Sequence, residues 1–334
     1  MYQKLFPEML KFDNKFPLYY WISLSNKCNA NCKFCDIHEK EDINTKVDVF
    51  KLLDNIKNIG GKYVQFTGGG EPFANPEIFD YLEYATKLGL NIVFITNGFF
   101  LTESIVKRFK NYNIRAIFVS IDSHLAKVHN ETRSVNKLFE RATAGINNIK
   151  HLYPNIKIII NHVLNDSNID DLDKFIALKD EIKYDYLNPI IVKECPEFYF
   201  TDDQIDDYKN KTNLLLELAK NHNVEFLYDD INYFVDSKYL NDGSDLRKND
   251  VPCNALNYAS FIDCVSGNVY PCDCSVHRDY DYYCFGNVLA DNLEKIYSND
   301  KCKQLRKELK CASKCKSKCD YANVHFNLLV NEKK

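Results

Sequence analysis

From Pro17 onward, short apolar, β-branched and aromatic runs alternate with stretches whose apolar residues recur every three or four positions. Residues 18–24, 63–67, 92–96, 116–120, 156–163 and 186–191 read as six strands. Between them, Val49, Leu52, Leu53, Ile56 and Ile59 follow helical spacing, as do Leu138, Ala142, Ile146 and Ile149, so each set lays one apolar stripe on a sheet. Strands alternating with crossover helices predict a parallel sheet. Six βα units fall short of the eight that close a full barrel, so the expected fold is α/β, a partial (β/α)6 TIM-like barrel. Active residues would then sit at the C-terminal ends of the strands.

Beyond the sixth strand the pattern predicts a helix over about residues 202–222, followed by the polar run Asn241-Asp242-Gly243-Ser244-Asp245, which reads as a linker. The expected organisation is an N-terminal extension over residues 1–16, the partial barrel over 17–195, a helical segment and linker over 196–250, and a small cysteine-rich domain over 251–334. Few long periodic segments occur in that last region, as expected where metal ligation replaces part of a core.

Composition narrows the function classes. Hydrophobic residues make up 45% and charged residues 27%, ordinary for a globular protein and outside the disordered range. A net charge of −4 offers no general attraction to nucleic acid or to acidic membranes. Glu8, Lys11 and Asp13 interrupt the apolar N-terminus before a signal-peptide core can form, and no apolar run approaches the length of a membrane span. The expected location is cytoplasmic, with neither nucleic acid nor membrane as partner.

Thirteen cysteines is an odd number, and in a reducing compartment clustered cysteines are more often metal ligands than disulfides. Three sit between Cys28 and Cys35, nine between Cys253 and Cys319, and Cys195 stands alone. Two thiolate centres are implied. Directly after the first strand, Cys28, Cys32 and Cys35 form C-x3-C-x2-C. Three thiolates in one loop can hold three irons of a [4Fe-4S] cube and leave the fourth open to chelate the amine and carboxylate of a methionine-like ligand. The alternative is structural zinc, with His38 available as a fourth ligand.

This triad, with the aromatic Phe34 before its last cysteine, is similar to the defining motif of the radical S-adenosylmethionine (SAM) superfamily, and the resemblance spans about residues 17–191. It implies a cluster that reduces SAM to methionine and a 5′-deoxyadenosyl radical, which then takes a hydrogen atom from the substrate. Thr67-Gly68-Gly69-Gly70-Glu71-Pro72 resembles the family's GGEP segment, which assigns the SAM amino group to Gly69, Gly70 and Glu71. Thr96-Asn97-Gly98 resembles its TNG segment, which brings in Asn97. Ser120-Ile121-Asp122, running on to Arg133, resembles its S-x-D segment, with Ser120 as a ribose contact and Arg133 as a carboxylate fork. Glycine runs and small polar residues at strand ends otherwise serve as turns and helix caps.

Cys253-x13-Gly267-x4-Cys272, with a hairpin-like turn over residues 267–271, resembles the opening of SPASM or twitch domains, which bind auxiliary [4Fe-4S] clusters. Gly286-Asn287 is similar to their GN segment. The resemblance implies at least one auxiliary cluster on Cys253, Cys272, Cys315 and Cys319, with Cys311 as the substitute ligand. The closing spacing, Cys302-x8-Cys311-x3-Cys315-x3-Cys319, departs from the usual pattern and leaves a second auxiliary cluster open. Cys264, Cys274, Cys284 and Cys302 read first as buried thiols.

The expected activity is a radical oxidation or rearrangement of a small polar metabolite of sugar or cyclitol type, with reduced flavodoxin or ferredoxin as electron donor. The short segment ahead of Cys28 favours it, having no room for a peptide-recognition domain. One alternative is radical modification of a ribosomally synthesised peptide. Another, from a different class, is a non-catalytic zinc-binding interaction protein, which leaves the GGEP-like and S-x-D segments unaccounted for. Glu194, Cys195, Tyr19, Trp21 and His162 lie near the strands, and none is assigned as the catalytic acid, base or hydrogen donor.

Overall fold

A computed structural model describes residues 5–6, 15–35, 44–191, 195–227, 253–276 and 280–309. In chain order its strands are β1 (Tyr19–Ser23), β2 (Tyr63–Thr67), β3 (Asn91–Thr96), β4 (Ile114–Ser120), β5 (Lys157–Leu164), β6 (Tyr186–Ile191), β7 (Glu225–Phe226), β8 (Ala259–Asp263), β9 (Asn268–Tyr270) and β10 (Gly286–Asn287). The helices that matter below are α1 (Val49–Asn58), α2 (Ile78–Lys87), α3 (Glu103–Arg108), α4 (Ala126–Thr132), α5 (Leu138–Leu152), α6 (Leu172–Ala177) and α7 (Asp202–Asn221). Alternating β and α elements with an open mixed sheet and a cysteine-rich C-terminal region meet the α/β, partial-barrel expectation. The chain forms two compact units, one from residues 1–28, 40–94 and 245–334 and the other from 29–39 and 95–244.

In the first unit, β1 is buried along its whole length, as expected for a strand covered on both faces. It pairs in parallel with β2 on one side, Tyr19 opposite Tyr63 and Ser23 opposite Thr67. On the other side lies β8, also parallel, with Tyr19 opposite Ala259. The sequence pattern does not reveal this neighbour. β8 turns back into β9 as an antiparallel pair, Phe261 opposite Tyr270, and β9 pairs with β10. The turn itself precedes Asn268, with Gly267 at φ +82°. The segment expected as a turn is mostly strand.

α1 carries the predicted stripe: Val49, Leu52, Leu53 and Ile56 are buried, each contributing about 1.5–3 kcal/mol relative to exposure. Asp48 caps its start by accepting the Lys51 N–H at 3.1 Å. Ile59, the last member of the stripe, is the C-cap, and the helix stops at Gly60, where φ is +90°.

In the second unit, β4, β5, β6 and β7 are consecutive parallel strands. α5 buries Leu138, Ala142, Ile146 and Ile149 as predicted, along with Gly145. α7 begins in a capping box: the Gln204 N–H donates to Thr201 Oγ1 at 3.2 Å, and the Thr201 N–H to Gln204 Oε1 at 3.1 Å. Among the described residues no helix is long and apolar enough to cross a membrane.

Candidate active site

In the first unit the loop after β2 is laced to the segment that leads into Cys28. The Gly69 N–H donates to Ser23 Oγ at 2.8 Å, the Gly70 N–H to the Ser25 carbonyl at 2.8 Å, and the Glu71 N–H to the Lys27 carbonyl at 2.9 Å. Backbones this close leave no room for side chains. A Cβ on Gly70 would lie 1.9 Å from the Lys27 oxygen, and one on Gly69 2.8 Å from the Ser25 oxygen. The glycine run therefore has a packing reason of its own. Glu71 is buried and accepts the Phe73 N–H at 3.3 Å, capping a single helical turn over Pro72–Ala74.

In the second unit the remainder of the cysteine loop docks on the C-terminal end of α4. The Asn31 N–H donates to the Arg133 carbonyl at 3.3 Å and the Lys33 N–H to the Thr132 carbonyl at 3.0 Å. Asn97, at the end of β3, donates from Nδ2 to Asn29 Oδ1 at 2.8 Å. Its own Oδ1 accepts the Phe99 N–H, so its orientation is fixed twice. Cys195 Sγ lies 3.6 Å from the Phe34 carbonyl, and the Phe34 ring meets Phe198 edge-on.

The densest polar arrangement centres on Asp122, two residues past the end of β4. Its carboxylate accepts from Arg133 Nε at 2.6 Å, from Arg133 Nη2 at 3.1 Å and from the Val163 N–H at 3.0 Å. Its carbonyl accepts from Asn168 Nδ2, and its N–H donates to His129 Nδ1 at 3.1 Å. Burial works to raise the carboxyl, but the Arg133 charge and its hydrogen bonds hold it below the ordinary carboxylate value. Burial works against the Arg133 charge in the same way, and the Asp122 carboxylate more than offsets it. Ser120 is buried at the last position of β4.

Two histidines flank this pair. Burial pulls His129 and His162 down to about 4, so both imidazoles are neutral near pH 7. His129 Nδ1 accepts a backbone N–H and its proton sits on Nε2. His162 Nδ1 faces the Ile121 carbonyl at 3.0 Å and carries the proton itself. The sequence marks His162 as near a strand and His129 as opening the segment that runs to Arg133, and assigns neither a role. It also leaves Asp122 unassigned, although the S-x-D spacing to Arg133 is the available signal.

Tyr19 and Trp21 lie in β1, where Tyr19 donates to Gln65 and meets the Trp21 ring edge-on. Glu194 falls outside the described residues.

In the cysteine-rich region, the Cys253 N–H donates to the Leu309 carbonyl at 3.0 Å and its Sγ accepts the Ala255 N–H at 3.5 Å. Cys272 opens the short turn over Asp273–Ser275 and its N–H donates to Ser275 Oγ. Cys264 and Cys302 are fully buried, and burial pushes both thiols up, which keeps them protonated. Gly267 faces Asn287, whose side chain donates to the Ser266 carbonyl at 2.8 Å and to Asn268 Oδ1 at 2.9 Å, closing the β8–β9 turn. Cys311, Cys315, Cys319 and His38 lie outside the described residues, as does the side chain of Cys274.

Among the described residues no three His, Cys, Asp or Glu side chains are gathered closely enough to hold a metal ion. The donor set of the N-terminal loop nevertheless fits an iron–sulfur cluster: three thiols within eight residues, a loop tied down on each side of Cys28, and an arginine beside Cys32.

Residues 22–178 match the family model of the Radical SAM superfamily, and residues 253–320 match SPASM, an iron-sulfur cluster-binding domain. The chain is similar to the AdoMet-dependent heme synthase of Methanosarcina barkeri, 29% identical over 178 residues, covering 52% of this chain and 50% of that protein. It thus spans about half the length of that curated relative. Among solved structures it resembles Streptococcus suis SuiB bound to S-adenosylmethionine, with TM-score 0.68 and 18% identity over 92% of this chain and 72% of that one. SuiB has also been solved bound to the precursor peptide SuiA. The chain resembles anSMEcpe with bound AdoMet and Cp18Cys peptide as well, with TM-score 0.67 and 17% identity over 95% of each chain. At such identities the likeness is one of fold.

Proposed function

We propose that this chain, a radical SAM enzyme with a SPASM-type iron–sulfur domain, uses its radical to modify a ribosomally synthesised peptide. In this reading Cys28, Cys32 and Cys35 hold a [4Fe-4S] cluster that, when bound, supplies the electron for cleaving SAM to a 5′-deoxyadenosyl radical. The protein's own part is positional. The loop over residues 68–71 fixes the chain entering Cys28 and offers Gly69, Gly70 and Glu71 toward the SAM amino group. Asn97 holds Asn29, and Ser120, buried at the end of β4, serves the ribose in this reading. Cys253, Cys272, Cys315 and Cys319 would hold an auxiliary cluster, which would supply an acceptor for the electron that the substrate radical gives up as it is oxidised. Reduced flavodoxin or ferredoxin is the donor.

The observation that carries the peptide over the sugar or cyclitol first expected is the shared fold of two peptide-bound proteins, SuiB with SuiA and anSMEcpe with Cp18Cys, across 92% and 95% of this chain. A tetrapyrrole is the second reading, favoured by the 29% identity to a heme synthase, and it rests on 52% of the chain.

The test is anaerobic turnover of reconstituted protein with SAM and dithionite, comparing a peptide encoded beside its gene, an iron porphyrin and a panel of cyclitols. Formation of 5′-deoxyadenosine that rises with the peptide, together with a mass change in that peptide, is the expected result. Stimulation by the porphyrin or a cyclitol alone, with the peptide unaltered, overturns the peptide reading and leaves the SAM chemistry standing.

A further inference from the structure

Arg133 is held more completely than a ligand-gripping arginine needs to be. Its Nε and Nη2 are both taken by the Asp122 carboxylate, so the side-on edge of the guanidinium is occupied and the end bearing Nη1 faces away from Asp122. The remaining terminal nitrogen, Nη1, reaches Cys32 Sγ at 3.8 Å. The Phe34 ring lies 5.5 Å from the guanidinium carbon. Both side chains of the ion pair are enclosed, Arg133 at 8% and Asp122 at 3% exposure, so solvent and salt screen them little.

The surroundings leave this geometry no freedom. Val163 fixes the same Asp122 oxygen that Arg133 Nη2 uses, while His129 and Asn168 take its backbone N–H and carbonyl. On the cysteine side, Asn31 and Lys33, which bracket Cys32, are bonded to the carbonyls of Arg133 and Thr132. The result is a fixed dipole whose positive end faces the middle sulfur of the triad.

We propose that Arg133, aimed by Asp122, is a positioning residue that sets the reduction potential of the cluster on Cys28, Cys32 and Cys35 through its N–H contact with Cys32 Sγ. Reduction adds one negative charge to a cluster, and a nearby cation or N–H donor stabilises the reduced form more than the oxidised one. Arg133 is nearer the sulfur than its counter-ion, so the net effect raises the potential. The inference rests on the cluster reading of the triad and is independent of the substrate.

The experiment is a mediated redox titration of full-length reconstituted protein followed by electron paramagnetic resonance. The Cys28→Ala/Cys32→Ala/Cys35→Ala variant supplies the signal of the C-terminal region for subtraction. Arg133→Gln is expected to make the triad cluster about tenfold harder to reduce, which is 59 mV for one electron. Arg133→Lys, which keeps a cation, should recover part of that shift, an ordering that a purely structural role would not produce. Because either variant could fold poorly, wild-type protein carrying ¹⁵N-arginine provides an independent measurement: the reduced triad signal should show an arginine ¹⁵N coupling. Unmoved potentials in both variants, or no such coupling in wild type, overturn the inference while the cluster stands. A wild type with no triad signal overturns the cluster reading and the inference together.

Discussion

Gly70 and Lys27 pack backbone against backbone, so closely that a methyl group on the glycine would fall 1.9 Å from the lysine carbonyl oxygen. No rotamer change relieves that clash, because the obstacle is main chain. Gly70→Ala should therefore displace residues 25–27 and with them Cys28. We expect at least a tenfold loss of SAM cleavage and reduced iron retention, at an overpacking cost of about 1–3 kcal/mol. Gly69→Ala, whose Cβ would meet the Asn26 and Ser25 oxygens at 2.7 and 2.8 Å, should be milder. Iron quantification and 5′-deoxyadenosine assays on both variants check the order, and equal, wild-type values would contradict it.

The triad and the C-terminal cysteines should carry separate pools of iron. Reconstituted wild type should hold about eight irons per chain, and the triple alanine variant of Cys28, Cys32 and Cys35 about four, with SAM cleavage abolished. Zinc in place of iron in wild type would favour the structural alternative.

Within the C-terminal pool, burial separates the cysteines. Cys264 and Cys302 are sealed from solvent and held as thiols, so Cys264→Ala and Cys302→Ala should leave iron content unchanged and cost only packing, about 1 kcal/mol or somewhat more. Cys253→Ala and Cys272→Ala should each lower iron by up to one cluster. The same iron and sulfide measurement distinguishes the two pairs. Iron lost in the Cys264 variant would make that residue a ligand.

His129 and His162 make stability depend on pH. Both sit near 4 in the folded protein, whereas an unfolded chain protonates them near their ordinary value of 6.5. Below that value the unfolded state binds protons that the folded state refuses. Their contribution is therefore complete above roughly pH 6.5 and is lost as the pH falls toward about 4, at up to about 1.4 kcal/mol per pH unit for each histidine. Denaturant titrations across that window should show the slope, and His162→Phe should reduce it by about half. A flat profile would mean that the two rings are charged or solvated.

What the sequence makes legible follows from physical range. The six βα units are visible because each strand and stripe is a local periodicity, and α1 and α5 bury the residues that their spacing singles out. The triad is visible because its ligands fall within eight residues. The parallel pairing of β8 with β1 is not, since 235 residues lie between Ser23 and Ala259 and nothing local encodes the partnership. Asp122 escaped assignment because its importance lies in the convergence of Arg133, Val163, His129 and Asn168 on one residue, which only folding brings about. The sequence assigns Gly69, Gly70 and Glu71 to a ligand by resemblance, whereas the close approach of Gly69 and Gly70 to residues 25–27 emerges only in three dimensions.

The pairing of β1 with β8 has a consequence for biosynthesis. The strand that leads into the cysteine loop, formed early on the ribosome, lacks one of its two neighbours until residues 259–263 have emerged. Until then its edge presents unpaired backbone groups, a state prone to mispairing. The Ser23 carbonyl, five residues before Cys28, finds its partner only in the N–H of Cys264. Iron loading of the N-terminal loop should thus follow completion of most of the chain, and a nascent chain stalled before β8 should be a poor acceptor for the cell's cluster-assembly machinery.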